Sequence, residues 1–133
     1  MRKNYFIVSV LGIGLVLASA PGLMAHHSVS AEFDTTKTIT FTGVVKKVEW
    51  MNPHIYTAIE VKQPDGQVIV YRLEGGAPNS LFRQGLRQDF VKPGEVVTVT
   101  GRPAKNPKSH NVSGTMMTAD GKNPMQNRTA AAQ

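Results

Sequence analysis

Hydrophobic and polar positions alternate with a period of two over much of the chain, and the points where that alternation breaks divide it into elements. In "HIYTAIEVK" (54–62), Ile55, Thr57, Ile59 and Val61 fall on one side and Tyr56, Ala58, Glu60 and Lys62 on the other. That is the pattern of a half-buried strand. "PDG" at 64–66 predicts a tight turn, and "QVIVYRLE" (67–74) returns as the hairpin partner with Ile69, Tyr71 and Leu73 inward. The preceding stretch "TITFTGVVKKVEW" (38–50) is β-rich. Ile39 and Phe41 share a face, whereas beyond Gly43 the apolar positions shift to Val44, Val48 and Trp50. One extra residue flips the alternation, so a change of parity at a glycine predicts a bulge or sharp bend in a long first strand.

The period then changes. "GGAPNSLFRQG" (75–85) predicts a short helix with Pro78 in its first turn, Leu81 and Phe82 on its apolar side and Gly85 at its stop. "KPGEVVTVTG" (92–101) reads as a turn and a strand, "RPAKNPKSH" (102–110) as a proline-punctuated loop, and "NVSGTMMTADG" (111–121) as a weaker last strand. Adjacent Met116 and Met117 should point to opposite sides of that strand. The resulting order, β-β-β-α-β-β, predicts an all-β fold with one short helix: a five-stranded, OB-like Greek-key barrel. An open β-sandwich of the same strands is the alternative.

The ends of the chain follow different rules. Residues 1–25 read as a secretory signal peptide: Arg2 and Lys3 precede the apolar run "YFIVSVLGIGLVLASA", and cleavage after Ala25 is expected. The run is short for a membrane span of roughly 20 residues, so no span is expected after cleavage and the protein should be periplasmic or secreted. Residues 26–37 form a polar N-terminal arm without a clear period, residues 38–121 the barrel domain, and residues 122–133 a tail expected to be disordered.

Composition narrows the chemistry. The 133 residues hold no cysteine, which excludes a lipid-anchored lipoprotein, disulfides, thiolate metal sites and thiol catalysis. Loss of the leader leaves 13 basic residues against 9 acidic ones, a net charge of +4, which is too mild for a polyanion-binding tail. Nucleic acid is not an expected partner, because Glu60 and Glu74 share the outward face with Tyr56 and Arg72. Nor is an enzyme expected. His27 and Ser28 are neighbours without a nucleophile-elbow motif, and the carboxylates Glu32, Asp34, Glu49, Glu60 and Glu74 are scattered.

The four histidines are His26, His27, His54 and His110. In an OB barrel the loops joining the first two and the last two strands often carry the ligand. Here that predicts a ligand-binding rim of Trp50, Asn52, Pro53, His54, Lys105 and His110. Cleavage after Ala25 would make His26 the first residue, and its free amine, with a pKa near 8, together with its ring can chelate an ion. His26, His27 and His54 are therefore the candidate metal ligands. An all-nitrogen set of this kind favours copper(II), with zinc(II) or nickel(II) also compatible. The bland alternative is that the histidines are solvated or structural. The expected partner is a small ligand or an envelope protein, and the sequence does not set the oligomeric state.

Together, "AHHS" (25–28), "EFD" (32–34), "TGVVKKVEWMNPH" (42–54), "LEGGAPNSLFRQG" (73–85) and "KPGEVVTVTGRPAK" (92–105) resemble an uncharacterised family of short exported bacterial proteins, classed as a domain of unknown function. The recurring elements of that family correspond here to Trp50, Asn52, Pro53 and His54, and to Pro78, Asn79, Leu81 and Gly85. Leu86 departs from its pattern. The resemblance implies an exported small domain and carries no activity with it.

Overall fold

The computed structural model describes residues 29–125. The chain divides into two compact units, residues 1–31 and 32–133, and the barrel is the second of them. Five strands, β1 (Ile39–Trp50), β2 (Ile55–Lys62), β3 (Val68–Glu74), β4 (Val96–Pro103) and β5 (Asn111–Thr118), are joined by one helix, α1 (Pro78–Arg83), between β3 and β4. They close into a barrel in the order β1-β2-β3-β5-β4. Every pairing is antiparallel except the short β3–β5 seam, where Arg72–Glu74 run parallel to Asn111–Ser113. This is the expected OB-like barrel.

The inward positions form one core: Val45, Ile55, Ile59, Leu73, Val97, Val99, Val112 and Met116 are all 0–1 % exposed. Met117, the neighbour of Met116, faces outward as the alternation requires. The parity change in β1 lies later than the sequence suggests. Register shifts between Val45 and Lys47, so Val45 is the buried residue and Val44 is exposed. Gly43 instead serves close approach: a Cβ there would lie 2.6 Å from the Glu60 carbonyl oxygen on β2.

The segment after β3 covers one end of the barrel. Gly85 (φ 88°) ends α1, with Leu86 N–H donating to the Leu81 carbonyl and Gly85 N–H to that of Phe82. This is the paired-bond stop that a left-handed glycine permits. It turns the chain so that Leu86, Phe90 and Val91 enter the core with Leu81 packed against them. Phe82, expected on the same side as Leu81, is 56 % exposed, with the Arg87 guanidinium over its ring. In so short a helix, consecutive residues face about 100° apart, and only one of the two reaches the barrel.

Two terminal stretches also belong to this unit. Phe33, in the polar arm, is 1 % exposed and bridges to Ala104. Asp34 N–H donates to the Pro103 carbonyl and Lys105 N–H to that of Glu32. Of the tail, Thr118 N–H donates to the Lys122 carbonyl and Met125 packs against the core. The expected leader, His26, His27 and residues 126–133 lie outside the described residues. Among the described residues no helix is long and apolar enough to cross a membrane.

Candidate functional site

The outer surface of the barrel falls into two chemically different halves. On β4, β1 and β5 the outward positions include Thr40, Thr42, Val44, Val96, Thr98, Thr100, Thr115 and Met117, and hydroxyl pairs join Thr40 to Thr100 and Thr42 to Thr98. On β2, β3 and the later part of β1 the outward side chains are largely charged and linked. Lys46 Nζ lies 3.0 Å from Glu60 Oε2. Glu49 receives Lys47 Nζ at 2.7 Å on one oxygen and Arg72 Nη2 at 2.9 Å on the other. These bonds, from Lys47 and then Arg72, hold the Glu49 carboxyl below the usual range. The Arg72 guanidinium also lies 4.2 Å from the centroid of the Tyr56 ring.

Beside this network sits a histidine–glutamate pair. Tyr56 on β2 is directly opposite Glu74 on β3, and Glu74 is opposite Ser113 on β5, so the carboxylate sits near the β3–β5 seam. His54, at the entry to β2, donates from Nδ1 to Glu74 Oε1 at 2.8 Å. The Glu74 side chain is 12 % exposed, and its second oxygen, Oε2, is buried without a hydrogen-bond partner among the described residues. Burial pushes the Glu74 carboxyl above its ordinary range; attraction to His54 opposes that, and repulsion from Glu32 reinforces it. The Tyr56 hydroxyl also acts on the Glu74 charge but closes no hydrogen bond to Oε2. Glu32 reaches this corner because the arm is pinned by the Lys105 amide, and its Oε1 accepts from Asn111 Nδ2 at 3.3 Å.

A raised folded-state pKa on an acid has a definite sign in linkage. The native state holds its proton more tightly than the unfolded chain, so stability is greatest below the ordinary value and declines as pH rises through the folded one. Melting followed from about pH 4 to pH 7 should therefore show a downward contribution that disappears in Glu74→Gln. An identical slope in the two proteins would mean that burial does not act on this carboxyl.

The side chains expected at the rim take different surroundings in the structure. His54 is on the charged outer face. His110 instead stacks edge-on against Tyr71, 5.5 Å between centroids, and Tyr71 itself stacks on Phe41 at 4.2 Å. Both of those rings pack against the core, so His110 and His54 serve different surroundings. Trp50 turns inward, edge-on to Phe90 at 6.4 Å. Its indole Nε1 is buried without a partner among the described residues, so it closes the barrel end. Lys105 contributes its backbone amide to the arm. Asn52 and Pro53, joined by a cis peptide bond, are exposed and lead directly into His54. Among the described residues, no three of His, Cys, Asp and Glu are grouped to hold a metal ion.

Sequence reasoning misses Glu74 as the partner of His54, and Glu32 and Asn111 beside it. Hairpin register is the available signal for the first. Pairing β2 with β3 across the "PDG" turn sets Tyr56 against Glu74, one step from the loop that carries His54. No local signal places Glu32, whose position depends on Phe33 and the β4–β5 loop.

In comparison with known proteins, the profile of a family of unknown function (DUF6152) matches residues 14–115. No curated protein matches the chain.

Proposed function

The chain belongs to this family of unknown function, and from its own side chains we propose that it is an exported, non-catalytic binding protein whose small barrel takes up a metal ion, copper foremost, at His54. One observation carries this reading: Glu74 holds Nδ1 of His54 and leaves Nε2 without a partner among the described residues. A metal-ligating histidine almost always donates its other ring nitrogen to a carboxylate or carbonyl, which fixes the ring and raises its basicity.

The remaining donors must come from elsewhere, and His26 and His27 are the candidates the sequence supplies. Export with cleavage after Ala25 turns His26 into an amine-plus-imidazole chelate, a set that favours copper(II). Titration of copper(II) into protein beginning at His26 should give one tight site. Affinity should fall about 10- to 100-fold in His54→Ala, and also when one residue is added before His26. Free metal at about 100 times Kd should stabilise the fold by about 2.7 kcal/mol. Equal affinity in all three proteins would remove the proposal.

A second reading, an accessory envelope protein that docks a partner, is favoured by the uncharged threonine and valine half of the barrel. Such a protein would ignore copper, and arginine at Thr98 would abolish its capture of the partner.

A further inference from the structure

A groove of about 510 Å³ lies on another side of the barrel, between the start of β4 and the turn that follows β5. Its apolar surfaces are Phe90, Val96, Ala119 and Pro124, and its charged groups are Glu95, Asp120 and Lys122. A space of this size accommodates a small organic molecule. Lys122 Nζ is engaged by Asp120 at 2.7 Å, which neutralises that carboxylate and holds it well below its ordinary range, at about 2. Glu95 is different. Its Oε1 accepts the Lys92 N–H at 3.0 Å, and it makes no ion pair among the described residues.

The groove thus carries two carboxylates and one ammonium, a local excess of one negative charge on a chain of net positive charge. We propose that it binds a small amphipathic monocation, an aromatic or aliphatic amine whose apolar body lies on Phe90, Val96 and Pro124 and whose ammonium pairs with Glu95. Charge complementarity selects the cation, and the apolar walls select against a bare inorganic ion. None of the lining residues belongs to the His54 corner, so this site stands or falls independently of copper binding.

The geometry also supplies a reporter. Trp50 is the only tryptophan, and its ring meets the edge of Phe90, a residue that lines the groove. Phenethylamine titrated into the full-length mature protein should change Trp50 emission saturably with a Kd of about 1 mM or tighter, corresponding to about −4 kcal/mol. Amide shifts should centre on Val96, Thr118 and Asn123. Glu95→Gln should weaken binding about tenfold, since a charge-assisted bond is lost, and Glu74→Gln should leave it unchanged. Phenylpropionate, which carries the opposite charge on a similar body, should not bind. Non-saturable emission, amide shifts centred on Tyr56 and Glu74, equal affinity of Glu95→Gln, or binding of the carboxylate as tight as the amine would each overturn the assignment.

Discussion

Gly43→Val is expected to destabilise the barrel by about 3 kcal/mol, the upper end of what overpacking costs in a well-filled core. A Cβ at this position would meet the Glu60 carbonyl oxygen at 2.6 Å, Ile59 Cγ2 at 2.7 Å and Val61 Cγ2 at 2.8 Å. The first of these belongs to the backbone of β2 and cannot rotate away. The two side chains lie on the adjacent strand, and Ile59 is fully buried. Relief would require β1 and β2 to separate along a pairing that closes the barrel. For a domain of roughly 100 residues, the cost corresponds to a Tm lowered by about 12 °C or more. Thr42→Val, one position away on the outward face, should stay within about 0.5 kcal/mol of the parent. Equal Tm for Gly43→Val and the parent would show that the two strands do not approach this closely.

Phe33→Ala is the second large effect, expected at about 3 kcal/mol from loss of a fully buried aromatic ring. The residue stands in a polar segment, yet its side chain is 1 % exposed and its backbone bridges to Ala104. The bonds on either side, Asp34 N–H to Pro103 and Lys105 N–H to Glu32, depend on the ring being seated. Hydrogen exchange should therefore accelerate at Asp34 and Lys105 as well as the melting point falling. A loss below about 1 kcal/mol with unchanged exchange would mean that the arm is held by its backbone alone.

The hydrophobic pattern identifies the elements well and locates some side chains badly, for separable physical reasons. Alternation in β2 and β3 assigns Ile55, Thr57, Ile59 and Leu73 to the interior, where all four lie, but it misplaces Ala58, which is buried between Thr57 and Ile59 despite falling on the outward parity. The bulge in β1 shows in the sequence as a change of parity, but the pattern puts it at Gly43. Val44 and Val45 are both valine, so hydrophobicity cannot decide which is inside. The irregularity falls between Val45 and Lys47, where Lys46 and Lys47 are both exposed and equally uninformative. Phe33 escapes a periodicity reading because its burial requires a segment far along the chain, and a single aromatic residue makes no period. His110 and His54 both lie in loops expected at one rim, and nothing local separates them. The side the His110 ring takes is fixed by the loop backbone, through the Arg72 N–H bond to the His110 carbonyl and the stack on Tyr71. Trp50 is expected at the rim by sequence; its edge contact with Phe90 makes it a cap on the barrel end instead.

These differences reshape the candidate site. The loop contributes His54, with Asn52 and Pro53 leading into it, and the barrel contributes the carboxylate that orients it. A histidine in a turn is commonplace in sequence. One whose Nδ1 is fixed by a largely buried glutamate has its other nitrogen oriented by the fold, and that constraint supports the copper reading.

Electron paramagnetic resonance of protein beginning at His26 and loaded with one equivalent of copper(II) tests this most directly, read for nitrogen hyperfine coupling with His54 intact and in His54→Ala. The proposal predicts that the substitution removes one imidazole nitrogen from the copper spectrum. Spectra that superimpose would show that His54 is not a ligand.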